Sequence, residues 1–298
     1  MEPHESRLIL VPTDLSEPAA HALRYASALG ERLGARLLVI YADSFIPPTD
    51  FTATTAGVFQ LSRDAMIVTA RENLRKHAEQ NIRSRVPFDL RVLIGEPLDA
   101  IVGQVRESGA DLVVMGTHGR TGVSRLTFGS VTEAVMRVVP VPVIAVNPTA
   151  IDTAHVEKVL CPVTFTPECR DALRHAAALA TGRGTPLVLL CTVDDDHTPV
   201  AELHRLHSWL PTELADRCEM KLVSAASEAE QIVESARKVK AQLIAFGVPA
   251  GRSVMNGLLG TIAERVVQQS GCPVLTVNPY AAHVLPMETK LELGMRNS

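Results

Sequence analysis

An internal repeat constrains this chain more than any other feature. Leu10-Val11-Pro12 returns as Leu160-Cys161-Pro162, and Ala22-Leu23-Arg24-Tyr25-Ala26 returns as Ala172-Leu173-Arg174-His175-Ala176, both at an offset of 150 residues. Farther along, Ile101-Val102 matches Ile232-Val233, and Val146-Asn147-Pro148 matches Val277-Asn278-Pro279, at an offset of 131. In a chain of 298 residues such a repeat implies two domains of one architecture, each large enough for its own core. The fall in offset puts 19 surplus residues in the first half, between about Asp43 and Arg85. The expected units are residues 1–149 and 156–279, with a tail at 280–298 that carries no readable pattern.

Within the first half, short apolar runs alternate with segments of helical period. Arg7 to Val11 reads as a strand, and Ser16 as the N-cap of a helix from about Pro18 to Leu33. A second strand, Arg36 to Tyr41, leads into a loop from Ala42 to about Ala56 and then a charged helix, roughly Leu61 to Arg85. Asp89 to Ile94 is a third strand and Pro97 to Ser108 a helix. The stretch Asp111 to Val146 adds a buried strand ending at Gly116, a glycine-bearing loop, a helix over Val131 to Val138 and a closing strand. Five strands alternating with four helices predict an α/β domain built on a doubly wound parallel sheet.

The loop after the fourth strand carries chemistry. It ends on Gly129 and on Ser130, where a helix starts. A glycine loop running into a helix N-terminus offers unpaired backbone N–H groups, no Cβ to keep an anion away, and the positive end of a helix dipole. Neither G-x4-G-K-[ST] nor G-x-G-x-x-G is present, so the usual competing phosphate motifs are absent. Gly116, Gly119, Gly129 and Ser130 instead fit G-x2-G-x9-G-[ST], which resembles the nucleotide-binding signature of universal stress proteins.

The resemblance, to the tandem type of that family, runs from about Ser6 to Pro279 and rests also on the strand ending Val11-Pro12-Thr13-Asp14 and on the closing strands Val141–Val146 and Val274–Val277. It implies two five-stranded sheets of order 3-2-1-4-5, with ATP or another adenine nucleotide, with or without Mg, at the carboxyl ends of strands 1 and 4. That is also where strand order reverses and open α/β sheets bind ligands. It further implies that the last strands pair across a two-fold, making the halves an intrachain pseudo-dimer. The prolines bracketing both strands fit edges that must be covered.

Asp14, at the end of strand 1, has acceptor oxygens for a ribose or an adenine edge; the competing reading is a cap beside Ser16. The resemblance places Thr13 and Ala42 against adenine and adds Pro12 and Met115 to the nucleotide-binding set. Gly116 and Gly119 let backbone approach the phosphates, and Gly129, Ser130 and Val131 present N–H groups. Arg120 and Arg125 either neutralise phosphate or form a solvated face. The second half departs from this set: Thr164 stands for Asp14 and Ala250 for Gly119, although Gly260-Thr261 keeps the last part. A weak or empty second site is therefore expected, unless a one-residue slip brings Gly251 into the role of Gly119.

Other chemistry is thin. His118 lies in the glycine loop, but no Ser-His-Asp order, paired carboxylates or Mg-binding cluster accompanies it, so a dedicated enzyme is not expected. A receiver domain needs an Asp ending strand 3, where this chain has Leu93-Ile94-Gly95. His204 and His207, with Glu202 nearby, read as surface residues or a metal pair. The surplus segment from Asp43 to Gln60 suits a lid, an apolar pocket or a variable loop. A net charge of −4 argues against nucleic acid as a partner. MEPHESRL lacks the basic and apolar regions of a signal peptide, and no apolar run approaches the ~18 residues of a membrane span, so a cytoplasmic chain away from membranes is expected. Five cysteines without C-x-x-C spacing read as reduced, mostly buried thiols. The expected function is a nucleotide-binding stress-response or regulatory module, with a possible homodimer and a regulatory protein partner still to be identified. The alternatives are a scaffold or apolar-ligand binder without nucleotide, and a slow ATPase.

Overall fold

The computed structural model describes residues 7–43, 56–117, 129–150, 154–180, 182, 185–193, 199–224, 228–248 and 261–278. The first half supplies β1 (Leu8–Pro12), α1 (Glu17–Leu33), β2 (Arg36–Asp43), α2 (Ala56–Asn81), β3 (Phe88–Ile94), α3 (Pro97–Ser108), β4 (Leu112–Gly116), α4 (Ser130–Val138) and β5 (Val143–Val146). The second half repeats the series as β6 (Val159–Pro162), α5 (Pro167–Leu179), β7 (Leu187–Val193), α6 (Pro199–Trp209), β8 (Cys218–Ser224), α7 (Glu228–Val239), β9 (Leu243–Gly247), α8 (Thr261–Gln269) and β10 (Val274–Val277). A short 3-10 turn, Thr212–Arg217, joins α6 to β8.

The strands form one sheet of ten, in the order β3-β2-β1-β4-β5-β10-β9-β6-β7-β8. Each half is therefore 3-2-1-4-5, parallel throughout, and the halves join antiparallel through Ala145–Val274, Ile144–Leu275 and Val143–Thr276. The proline-bracketed strands thus cover each other's edges, as the pseudo-dimer expectation required. Continuity has a further consequence: one apolar cluster lies on each face of the sheet, and each cluster contains residues of both halves.

Helix ends follow local chemistry. Ser16 Oγ accepts from Ala19 N at 3.3 Å, the expected N-cap of α1, and Thr166 does the same for α5. The helix after β2 departs from expectation at both ends, running from Ala56 to Asn81 rather than Leu61 to Arg85. It stops early because the N–H of Arg83 is taken by Ser27 Oγ on α1 at 2.8 Å, which turns the chain toward β3. At 26 residues it is more than twice the length of α6, its 11-residue counterpart, so much of the first half's surplus is helix rather than loop. Residues 44–55 of that surplus, the tail and Gly251 lie outside the described residues. All five cysteines are free, and Cys161, Cys169, Cys191 and Cys272 are buried. No helix among the described residues is long and apolar enough to cross a membrane.

Candidate functional site

The crevice begins where two strands part company. β1 pairs with β2 as far as Pro12–Ile40, but with β4 only at Ile9–Leu112 and Leu10–Val113. Beyond those pairs the carboxyl ends of β1 and β4 diverge, and a cavity of about 290 Å³ opens between them. Pro12, Thr13 and Asp14 form its β1 wall, Ile40 and Ala42 its β2 wall, and Met115 and Gly116 its β4 wall. Gly129, Ser130, Val131 and Thr132 close it from the N-terminus of α4.

The β1 wall is a tightly held turn. Thr13 continues the ladder by donating its N–H to Ile40 O at 2.9 Å. Its hydroxyl accepts from Leu15 N at 3.0 Å, and Asp14 Oδ1 accepts from Ser16 N at 3.0 Å. These side chains hold Leu15 at φ 66°, a left-handed conformation that a branched side chain rarely adopts. Phe165, its counterpart in the second half, has φ 55°, so the strained turn is part of the repeat. One oxygen of Asp14 thus braces the turn beside the helix cap, and the residue also lines the cavity.

The opposite wall is a helix start without a side-chain cap. Gly129 takes the N-cap position in an extended conformation, and among the described residues no side chain bonds back to the first turn. The first amides of a helix have no intrahelical acceptor, so those of Ser130, Val131 and Thr132 face the crevice with the positive end of the dipole. Gly129 N–H donates to Thr117 O at 2.9 Å, and Thr132 Oγ1 donates to Gly116 O at 2.8 Å, which fixes this helix start against the end of β4. A Cβ on Gly129 would stand 3.2 Å from Thr117 O, so glycine allows the approach.

Nine of the residues singled out from sequence therefore meet at one place: Pro12, Thr13, Asp14, Ala42, Met115, Gly116, Gly129, Ser130 and Val131. Gly119 and Arg120, with His118 and Arg125, lie outside the described residues. Sequence reasoning missed Ala19, Ile40, Pro97, Ile101 and Thr132 on the lining. Ile40 was within reach, since it sits two residues before Ala42 on the same strand face. It also missed His77 of α2, whose Nε2 lies 3.1 Å from Thr13 Oγ1. Burial lowers the pKa of His77, while the nearby Asp14 carboxylate pulls the other way. Among the described residues no group of three His, Cys, Asp or Glu is placed to hold a metal ion; His204 and His207 are exposed on α6.

The second half builds the same place differently. β6 and β9 also part after two pairs, Val159–Leu243 and Leu160–Ile244. Here, though, the first turn of α5 is seated on the end of β9: a Cβ on Gly247 would collide with the backbone of Glu168 and Cys169. Gly247 is buried, whereas Gly116 is half-buried on a cavity. Cys169 stands where the repeat places Ala19, and its thiol donates to Pro162 O at 3.4 Å.

The sequence model of the universal stress protein family matches residues 5–147 and again 155–278, which together make up most of the chain. The chain belongs to the universal stress protein family. It carries the family's domain twice, and single relatives match about half of it. A universal stress protein of Methanocaldococcus jannaschii is 30% identical over 139 residues, 47% of this chain and 81% of the relative. One from Synechocystis is 31% identical over 148 residues, 47% of this chain and 96% of the relative. The whole tandem is matched in fold by a solved universal stress protein from Archaeoglobus fulgidus, with a TM-score of 0.71, 20% identity, and coverage of 92% of this chain and 99% of that one.

Proposed function

We propose that this universal stress protein binds an adenine nucleotide, ATP or a close relative, in the first-half crevice, and that occupancy of that site is what it contributes as a stress-response or regulatory module. One observation carries the reading: an uncapped helix N-terminus and an acidic strand-end turn face each other across a cavity at the point where strand order reverses. The α4 amides suit phosphate, and the carboxylate of Asp14 suits ribose or adenine N–H and O–H donors. Ile40, Ala42, Ile101 and Met115 give a small apolar bed for a ring. The seating of α5 on β9 and the substitution of Thr164 for Asp14 support a second half that takes no nucleotide.

The test is to denature freshly purified protein and quantify released adenine nucleotide by chromatography, beside a variant carrying Asp14→Ala and Gly119→Ala. About one nucleotide per chain, lost in the variant, is expected. Two per chain would mean that the second crevice opens in solution. None, even after added ATP, would favour a scaffold or a binder of small apolar ligands. Release of ADP after ATP loading would point to slow hydrolysis.

A further inference from the structure

We propose that the second half, although closed to nucleotide itself, is a built-in brace for the first-half site, and that Asn278 and Asn147 are its positioning residues. The inference rests on the reading of the crevice as a nucleotide site, and deepens it.

The helix whose N-terminus faces the crevice is only nine residues long, and its far end is held by the other half of the chain. Asn278, just past β10, donates from Nδ2 to Val139 O at 2.8 Å and to Met136 O at 3.2 Å. Helix ends leave carbonyls that need donors, and α4 closes at Val139 in an extended conformation, without the left-handed glycine that ends α1 and α3. Asn278 is 3% exposed, so water does not substitute for its amide. A two-and-a-half-turn helix is a stiff rod; fixing its carboxyl end fixes where its first amides point.

The other asparagine holds the base of the glycine loop. Asn147, just past β5, accepts from Thr117 Oγ1 at 2.9 Å, and Thr117 O in turn accepts the Gly129 N–H. The amide of Asn147 donates across the join to Val267 O at 2.6 Å and to Ser270 O at 2.9 Å, at the carboxyl end of α8. Thr117 is fully buried and Asn147 is 3% exposed. A buried hydrogen-bonded path thus runs from the cavity lining at Gly129, through Thr117 and Asn147, into the second half. Each asparagine closes a helix of the opposite half, so the first-half site is complete only when the two halves are docked.

A third tie between the halves supplies the comparison. Arg32, at the opposite end of α1 from the crevice, donates to Leu179 O at 2.6 Å at the end of α5. In the full chain, Asn278→Ala and Arg32→Gln should both lower the melting temperature, since each cuts an inter-half hydrogen bond. Only Asn278→Ala should shift the amide resonances of Gly129 and Ser130 in ligand-free protein and weaken ATP binding, by roughly tenfold in titration calorimetry. Wild-type resonances and affinity in Asn278→Ala would overturn the brace, as would an equal loss of affinity in Arg32→Gln. If wild type takes up no adenine nucleotide, the nucleotide reading falls, and the amide shifts still decide the brace. Should Asn278→Ala fail to fold, Asn278→Ser, which keeps a shorter donor, is judged by the same two measurements, with a smaller shift and a smaller loss expected.

Discussion

His175 sits fully buried in α5, where the first half has Tyr25, and desolvation lowers its pKa from 6.5 to about 4. The unfolded chain therefore takes up a proton that the folded chain refuses, and stability present above pH 6.5 is lost as the pH falls toward 4. A shift of this size corresponds to about 3 kcal/mol. Urea melts between pH 7 and pH 4 should show that loss in wild type and a flatter profile in His175→Leu; parallel profiles would mean that the ring is not the group responsible. The same residue-level logic explains the first half's crevice. Thr13, Asp14 and Ser16 each use a side-chain oxygen to accept a backbone N–H, and together they hold Leu15 in a conformation it would not choose alone. The strain places the Asp14 carboxylate at the mouth of the switch point, with His77 steadying Thr13 from α2.

At the scale of elements, the repeat makes its own controls. α1 and α3 are followed by glycine in the left-handed region, Gly34 and Gly109, both at φ 64°. The counterpart of Gly109 after α7 is Lys240, at φ 57°. A Cβ in that region costs about 1 kcal/mol, so Lys240→Gly should stabilise the protein by up to about 1 kcal/mol, read as a higher urea midpoint at unchanged slope. A lower midpoint would show that the lysine side chain compensates elsewhere. Elements also differ around the two crevices. The same strands diverge in both halves, but the first turn of α5 lies against Gly247, whereas a cavity opens beside Gly116. α2 differs from α6 by length rather than by type, and it brings His77 against Thr13.

At the scale of the whole molecule, the two apolar clusters run the length of the ten-stranded sheet, and neither belongs to one half. The antiparallel join places Ile144 opposite Leu275, both buried, so parting the halves exposes core rather than surface. Scanning calorimetry should accordingly give one transition with equal calorimetric and van't Hoff enthalpies; two resolved transitions would mean that the halves unfold independently. Much of this architecture was legible beforehand. Parallel strands buried on both faces read as apolar runs, helices as a 3.6-residue period, and the repeat carried each assignment from one half to the other. The strand order, the join of the last strands and the positions of nine lining residues all followed from motifs confined to a few neighbouring residues, or from a family resemblance resting on them. What stayed hidden depended on partners far apart in the chain. The sequence shows Val-Asn-Pro twice, at Asn147 and Asn278, but only the antiparallel join reveals that each asparagine ends a helix 120 to 142 residues away in the opposite half. His77 touches Thr13 across 64 residues, and the contact of α5 with Gly247 depends on where that helix comes to rest. Local composition determined which elements form and where an anion would be welcome; what packs around the first-half crevice was decided by contacts between segments that no local pattern connects.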